Sequence, residues 1–375
     1  MENSGLIKYN SGLLKTVSNS ISVTNKLLAN IPPQLIPYRK GDKWGYCTSD
    51  KNLVIACNYQ RTNLFANGLS NVKVNNKWGF INTKAEVVIP CVYEEVNPFW
   101  DDHYNQSVVT LNKKKGTINK FGEIAIPIEY DEISFYGEGP FAAKKKDRWG
   151  YINVNGDFVI NFIFRDASSF SEGISFVVFE NWKTGFIDKK GKLVVDLNET
   201  KTGRFFAEGL LSFLNVTNDE YNGKWGFYDR NKNIVIKPIY DEVKVFGEGL
   251  AGVKIKNKWG FIDRNGSMVV KPTYNYVGDF NENLCDVNLN NKHGFINSKG
   301  EIGIGLKYDN VFHFFDGYAL VILNDKSAII DRNGKTIFPF EFTLLFYPFN
   351  LGVFEVYDKS VLGYVNFDGI RYWED

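Results

Sequence analysis

The chain has 375 residues, of which 44% are hydrophobic, so it is long enough to bury a core of its own. Its formal net charge of +1 gives no overall attraction to nucleic acid or to an anionic membrane. The four cysteines form no CxxC pair and lie in apolar runs, which indicates reduced, buried thiols rather than a disulfide framework or a zinc site.

The first predicted element is an amphipathic helix within residues 1–37. Residues 11–30 place apolar side chains at helical spacing, and Pro32 and Pro33 would end the helix. Two roles are open for it: a cap that covers the exposed edge of the structure that follows, or a docking helix for another protein. Its apolar residues are Leu13, Leu14, Val17, Ile21 and Leu28.

The same N-terminus has no basic segment followed by a continuous apolar run. No run in the chain approaches the roughly eighteen apolar residues that a membrane helix needs. We therefore expect neither a signal peptide nor a membrane span. A cytoplasmic location is the default expectation, with export by a leaderless route left open.

One short motif recurs from residue 38 to the end of the chain. Its best copy, KIKNKWGFIDRNG, occupies residues 254–266. A glycine inside the motif serves as an anchor, and successive anchors are 34 to 41 residues apart, which indicates a tandem repeat array. The ten anchor positions are Gly45, Gly79, Gly116, Gly150, Gly185, Gly226, Gly260, Gly294, Ala328 and Gly363.

Each unit of about 34 residues is predicted to form three short strands. In the best-preserved unit, residues 250–256 alternate in polarity and residues 259–263 form a second strand. Residues 267–271 form a third, closed by Pro272, which cannot donate to a ladder. Residues 241–246 offer a fourth strand.

The sequence also predicts the two turns of the unit and the role of its anchor glycine. Asn257 and Lys258 make a short turn, and Asn265–Gly266 predicts a type I′ turn, which needs positive φ at both central residues. The anchor glycine is expected to leave out a Cβ where a neighbouring backbone or ring comes close. Three short strands cannot bury a face alone, so aromatic side chains of neighbouring units should stack to supply the core.

Paired carboxylates follow an aromatic residue that recurs fourteen positions after the anchor. In isolation each pair could act as a general acid and base. They occupy the same position in successive units, which favours a turn that every unit needs. A loop of the form Phe-x-Glu-Gly then leads into the next unit. The pairs are Glu94-Glu95, Asp131-Glu132 and Asp241-Glu242.

The Lys-Trp-Gly-Phe-Ile-Asp core, the Asn-Gly turn, the apolar-Pro step and the Tyr-Asp pair together resemble the WG (KWG) β-repeat family of bacterial proteins. The resemblance implies a repeat array with no assigned activity. We expect an all-β array of about ten three-stranded units in residues 38–375, behind an N-terminal helical cap in residues 1–37. Ten units exceed the roughly four to eight blades of most β-propellers, which favours an open, curved, solenoid-like array over a propeller-like ring.

Two insertions interrupt the period, at residues 98–106 and 215–223. Insertions in repeat proteins fall in loops on one side of the array, often the binding side. We therefore predict partner contacts in these loops. The candidate contact residues are Trp100, Asp101, Asp102, His103, Tyr104, Asp219, Glu220 and Tyr221.

Side chains suited to catalysis are few. The cluster at residues 101–104 is the one local metal-like group, but two adjacent aspartates do not easily face one metal and no second histidine is near. Residues 137–146, GEGPFAAKKK, lack the strand, glycine spacing and helix of a phosphate-binding loop. We therefore predict no enzyme, no catalytic or metal-binding residue and no cofactor.

The expected function is a non-catalytic scaffold for protein–protein interaction, with the N-terminal helix used for capping or recruitment. The partner would be a protein, not nucleic acid or a membrane. The alternative is a ligand-binding module for glycans, because 16% of the residues are aromatic and Trp100 and Trp182 lie in loops outside the repeated Trp position. Deletion of the helix should abolish recruitment but leave sugar binding intact.

Overall fold

A computed structural model describes residues 35–99, 104–135, 137–197, 201–203, 206–215, 223–346, 352–358 and 361–374. Every regular element of these residues is a β-strand. The predicted N-terminal helix lies outside the described residues, including all five of its apolar positions, Leu13, Leu14, Val17, Ile21 and Leu28.

In the described part of the chain, the strands form nine four-stranded sheets and one three-stranded sheet, which we number as blades 1 to 10. Blade 1 contains β1 (Ile36–Lys40), β2 (Lys43–Cys47), β3 (Leu53–Tyr59) and the last strand, β39 (Trp373–Glu374); blade 2 contains β4 (Arg61–Thr62), β5 (Leu69–Val74), β6 (Lys77–Asn82) and β7 (Val87–Tyr93); blade 3 contains β8 (Glu95–Val96), β9 (Gln106–Leu111), β10 (Lys114–Asn119) and β11 (Ile124–Tyr130). Blade 4 contains β12 (Glu132–Ser134), β13 (Phe141–Lys145), β14 (Arg148–Ile152) and β15 (Phe158–Phe164); blade 5 contains β16 (Asp166–Ala167), β17 (Ile174–Val178), β18 (Thr184–Asp188) and β19 (Leu193–Asp196); blade 6 contains β20 (Lys201–Thr202), β21 (Leu211–Asn215), β22 (Lys224–Tyr228) and β23 (Ile234–Tyr240). Blade 7 contains β24 (Glu242–Gly247), β25 (Leu250–Ile255), β26 (Lys258–Asp263) and β27 (Met268–Tyr274); blade 8 contains β28 (Tyr276–Val277), β29 (Leu284–Leu289), β30 (Lys292–Asn297) and β31 (Ile302–Tyr308); blade 9 contains β32 (Asn310–Val311), β33 (Tyr318–Leu323), β34 (Lys326–Asp331) and β35 (Thr336–Phe342); blade 10 contains β36 (Leu344–Phe346), β37 (Val353–Asp358) and β38 (Val361–Asn366).

Blade 7 shows how the repeat is built. Strands β25, β26 and β27 are the three predicted strands, and β24 is a fourth, so most blades have one strand more than predicted. β27 also continues through Pro272 instead of ending there. It lies at the edge of the sheet, where the missing N–H of proline loses no ladder partner, and a register shift between Trp259 and Phe261 marks a bulge.

The two hairpin turns of the unit differ from the prediction. Lys256 and Asn257 both have positive φ and join β25 to β26, as in a type I′ turn. At the next turn only Gly266 has positive φ, 81°. There the side chain of Asp263 accepts hydrogen bonds from the backbone N–H groups two and four residues ahead, at 2.9 and 2.8 Å. The type I′ prediction at Asn265–Gly266 is therefore wrong, because the aspartate side chain organises this turn instead.

Eight of the nine anchor glycines lie where the third long strand of their own blade crosses closely, and Gly363 lies against the ring of Trp373 in β39. A Cβ on Gly260 would lie 2.3 Å from the carbonyl oxygen of Val270. A Cβ on Gly45 would lie 2.2 Å from the carbonyl oxygen of Ile55. No carbon and oxygen approach so closely without a bond, so the close backbone approach predicted for the anchors is confirmed.

The core lies between successive blades. Phe261 of blade 7 contacts Phe280, which precedes β29 in blade 8, with ring centroids 4.9 Å apart. The equivalent pair of blades 8 and 9 is Phe295 and Phe314, at 4.8 Å. Edge-to-face pairs of this kind stabilise the fold beyond the contribution of the apolar area that they bury. Stacking of neighbouring units thus supplies the core that a single unit lacks, as predicted.

The ring closes between blades 10 and 1. Strand β39 follows β38 in the chain but pairs in parallel with β1, where Arg39 lies opposite Trp373. The guanidinium group of Arg61 in blade 2 lies 3.2 Å from the carboxylate of Glu355 in blade 10. The open, solenoid-like array that we favoured is therefore wrong, and the alternative, a β-propeller ring, is confirmed. Closure occurs because the end of the chain joins the first sheet instead of extending the last.

Candidate functional site

The two insertions that were predicted to contact a partner lie largely outside the described residues. Trp100, Asp101, Asp102, His103, Asp219, Glu220 and Tyr221 all fall there. Tyr104 is described, and its ring contacts Phe135 and Phe141 with centroid distances of 5.4 and 5.0 Å. Tyr104 therefore joins the aromatic core between blades 3 and 4, and the loop contacts stay predictions.

The paired carboxylates join one blade to the next. Asp241 lies between blades 6 and 7, where it contacts the ammonium group of Lys224 behind it and accepts a hydrogen bond from the backbone N–H of Lys256 ahead of it, at 2.8 Å. The Lys224 ammonium holds the pKa of the Asp241 carboxyl below its usual range. Asp309 makes the same two contacts with Lys292 (2.6 Å) and Asn324 (2.7 Å). This position thus has a structural role in unit after unit.

A second set of carboxylates, in the loops between the first and second strands of blades 4 to 8, holds neighbouring hairpins together. We call Glu138, Glu172, Glu208, Glu248 and Glu282 the inter-blade glutamates. Glu282 accepts a hydrogen bond from the backbone N–H of Gly317 in the next blade at 3.0 Å. Glu208 accepts one from Gly249 in the same way at 2.9 Å. The sequence shows the recurring loop but not this role, because the partner amide lies in another unit.

The described residues assemble no metal site from three or more His, Cys, Asp or Glu side chains. All four cysteines have free thiols, and burial raises the pKa of the Cys47 thiol to about 12. The sequence had given only weak signals for a metal site or for reactive cysteines. Nor do the described residues include a helix with the length and apolarity needed to cross a bilayer.

One apolar surface recurs around the ring. The first residue of the third long strand is apolar and exposed in blades 1 to 8, with exposed fractions of 63% for Val87 and 61% for Ile302. These strands lie at one edge of their sheets. We call this set the third-strand edge surface: Leu53, Val87, Ile124, Phe158, Leu193, Ile234, Met268 and Ile302.

Trp182, in the turn between β17 and β18, is the most exposed large apolar side chain of the described residues, at 71%. Its backbone has a positive φ of 65°, which is uncommon for a bulky residue. The guanidinium group of Arg165 stacks on its ring at 4.3 Å. Arg165 is itself held by the carbonyl and carboxylate oxygens of Glu180 at 2.8 and 3.0 Å. The result is an indole presented on an ordered support.

Several solved structures are similar to this chain at low identity. A eukaryotic initiation factor is 10% identical, with 90% of this chain and 94% of that chain covered and a TM-score of 0.46. The computationally designed Ika8 protein is 9% identical, with 73% and 93% covered and a TM-score of 0.38. BamB from Moraxella catarrhalis is 10% identical, with 80% and 92% covered and a TM-score of 0.35.

No curated protein matches the chain. The WG containing repeat family matches seven segments, residues 44–78, 78–103, 116–148, 149–181, 225–259, 259–292 and 294–326. Together these segments cover more than half of the chain, and all seven begin at or next to an anchor glycine. The chain belongs to the WG containing repeat family.

Proposed function

We propose that this ring is a non-catalytic scaffold for protein–protein interaction and that a protein partner docks on the third-strand edge surface. The supporting observation is that one strand position stays apolar and exposed through eight successive blades. Extensive exposed apolar surface in a soluble domain marks a site of contact with another macromolecule. Each of these strands is also a sheet edge, whose outward backbone groups can pair with an extended segment of a partner.

The proposal is tested by removing apolar area from three adjacent blades without changing charge. The variant carries Val87→Thr, Ile124→Thr and Phe158→Thr, each of which replaces an apolar residue by a polar one that is still suited to a strand. Full-length wild type and variant would each be cross-linked in extract of the native host, and the captured proteins identified by mass spectrometry. We expect the variant to lose a defined set of partners that the wild type recovers.

A control variant with Lys84→Thr, Lys120→Thr and Asn155→Thr changes exposed residues in the turns of the same three blades. It should recover the wild-type partners. Both variants should unfold within about 1 kcal/mol of wild type, because exposed substitutions away from special contacts cost little. The same partners captured by the edge variant and by wild type would rule out this surface.

Trp182 supports a second candidate function, the binding of a glycan. An exposed indole face on an ordered Arg165 support can stack on the C–H face of a sugar ring, and the neighbouring Asn181 and Lys183 carry groups that hydrogen-bond to hydroxyls. A glycan array probed with wild type and with Trp182→Ala tests this. Binding that is absent from the wild type, or that persists unchanged in the variant, would exclude this site.

A further inference from the structure

A cavity of about 500 Å³ opens where the first strands of blades 7, 8 and 9 lie side by side. Asp286 of β29 lines it and is only 7% exposed. Asp279 and His313 lie at its exposed rim, and Tyr276 of β28 and Lys244 of β24 complete a wall. The volume falls within the range of small-molecule sites, about 300–1,000 Å³.

Asp286 occupies a defined position of the repeat, opposite the residue that follows the anchor glycine. Ten blades allow ten residues to be compared at this position, and only two of them are acids, Asp286 and Glu355. The other residues at the position are Pro37, Asn71, Val108, Ala142, Phe176, Ser212, Gly252 and Leu320.

The two acids differ in their partners. The Tyr364 hydroxyl donates to Glu355 at 2.7 Å, and the Arg61 guanidinium lies 3.2 Å from the same carboxylate. In the described part of the chain no ion pair reaches Asp286, whose carboxylate bonds its own backbone N–H. Burial raises the pKa of Asp286. Lys244 and His313 act on this carboxylate only by longer-range attraction. Keeping a buried carboxylate without an ion pair costs stability, which suits a binding group better than a structural one.

The strand opposite Asp286 leaves room for this carboxylate. The backbone N–H of Gly278 donates to the carbonyl oxygen of Asp286 at 2.7 Å. A Cβ on Gly278 would lie 1.8 Å from the Oδ1 atom of Asp286. Gly278 is not among the glycines with positive φ, so the backbone conformation does not require glycine here. Its missing side chain is explained by the carboxylate that fills the space.

We infer that this cavity binds a small organic cation through a primary ammonium group, with Asp286 as the counter-ion and Asp279 as a second carboxylate. An ammonium group supplies three donors and a positive charge at contact distance, where Lys244 and His313 act on Asp286 only from farther away. The Tyr276 ring adds a face that attracts cations, since the Lys244 ammonium already lies 5.2 Å from its centroid. The ligand would share this wall with Lys244.

This inference goes beyond the proposed scaffold function and does not depend on it. The cavity lies at the first-strand edge of the sheets, and the third-strand edge surface lies at the opposite edge. Loss of cation binding in the cavity should leave partner binding on the third-strand edge surface unchanged, and the reverse should also hold.

The test uses two probes of nearly equal size and different charge, n-butylammonium and butan-1-ol. Saturation-transfer NMR with the full chain at pH 8 would give a dissociation constant for each probe. We expect n-butylammonium to bind and saturate, and butan-1-ol not to bind. Asp286→Asn should weaken n-butylammonium binding by at least about tenfold, as expected when a buried charge partner is lost.

Asp325→Asn is the matched control, because it removes a carboxylate from an exposed turn of blade 9. It should bind n-butylammonium like wild type. Gly278→Ala is a second route to the same site, since its methyl group would displace the Asp286 carboxylate, and it should weaken binding to a similar degree. Thermal unfolding confirms that each variant is folded. Equal binding of both probes, no saturation by n-butylammonium, or Asp286→Asn binding within about twofold of wild type would each overturn the inference.

Discussion

At the anchor position, a missing Cβ lets two strands of one blade approach closely. Gly260→Ala would place a methyl carbon 2.3 Å from the Val270 carbonyl oxygen, and backbone cannot move aside as a flexible side chain can. We expect a loss of about 1–3 kcal/mol in the free energy of unfolding, as for overpacked cores, or more if β27 separates from β26. Urea unfolding followed by circular dichroism measures it.

Gly305→Ala is the control for this substitution. Gly305 also lies in a third long strand, but a Cβ there would have no heavy atom within 4 Å, and its φ is not positive. It should change stability by less than about 1 kcal/mol or increase it slightly. Blade 9 carries Ala328 at the anchor position, so a whole unit can adapt to a methyl group when the rest of its sequence differs. Equal effects of the two substitutions would contradict the steric explanation.

Asp286 gives a prediction about pH. Its pKa is raised by burial above the ordinary value of 3.8. Between the pKa of Asp286 in the unfolded state and its raised pKa in the folded state, the folded protein holds a proton that the unfolded chain has released. The free energy of unfolding therefore falls as pH rises through this range. We expect wild type to lose stability relative to Asp286→Asn from about pH 4 upward, and the difference to level off above the folded-state pKa.

Urea unfolding of wild type and Asp286→Asn at a series of pH values measures this difference directly. Carboxylates far from Asp286 contribute equally to both proteins and cancel, whereas the charge of Asp279 acts on Asp286 and belongs to the measured difference. A difference that stays constant with pH, or that changes in favour of wild type as pH rises, would contradict burial as the cause of the shift.

At this scale the sequence predicted part of the structure. The close approach at the anchors could be predicted because it depends on contacts within one unit, repeated in eight blades. The turn at Gly266 was misassigned because Asn-Gly alone does not show that Asp263 will bond the backbone first. Asp286 could not be recognised, because its burial without an ion pair depends on blades 7 and 9 on either side.

Among the elements, the hairpin between the first and second strands of blades 4 to 8 links each of these blades to the next. Glu208 has a positive φ of 52° and accepts a hydrogen bond from the Gly249 N–H at 2.9 Å. Glu208→Ala loses this bond and keeps the unfavourable backbone, so we expect a loss of about 1–2 kcal/mol. Glu208→Gly loses the same bond but relieves the backbone, and should cost about 1 kcal/mol less than alanine.

Thermal and urea unfolding of the two variants separate the stability contribution of the Glu208–Gly249 hydrogen bond from the cost of the positive φ at residue 208. A more stable alanine variant than glycine variant would show that the left-handed conformation is not preserved. The sequence could not predict this contact, because Glu208 and Gly249 are 41 residues apart and belong to different units. The repeat period identifies equivalent residues but not which of them meet.

At the scale of the whole molecule, the closure of the ring changes the role that we expect of the N-terminal segment. A cap was one of its two predicted roles because an open array exposes the edge of its first unit. Blade 1 has no such exposed first strand, since β39 pairs with β1. The need for a cap is therefore met by the end of the chain, and recruitment of a partner is the role that we propose for residues 1–34. A repeat period gives the number of units but not the angle between them, so the sequence could not predict closure.

Two deletions test this division of roles. Removal of residues 373–375 abolishes the pairing with β1, the Tyr38 hydroxyl bond to Glu374 (2.6 Å) and the Lys40–Glu374 ion pair (3.2 Å). We expect a lower melting temperature, a larger radius of gyration by small-angle scattering and concentration-dependent association through the newly exposed edge of β1. Removal of residues 1–34 should leave the melting temperature and scattering unchanged but reduce partner capture. If removal of residues 1–34 lowered the stability of the ring, this segment would be a cap after all. If removal of residues 373–375 left the ring unchanged, contacts such as Arg61–Glu355 would suffice to keep it closed.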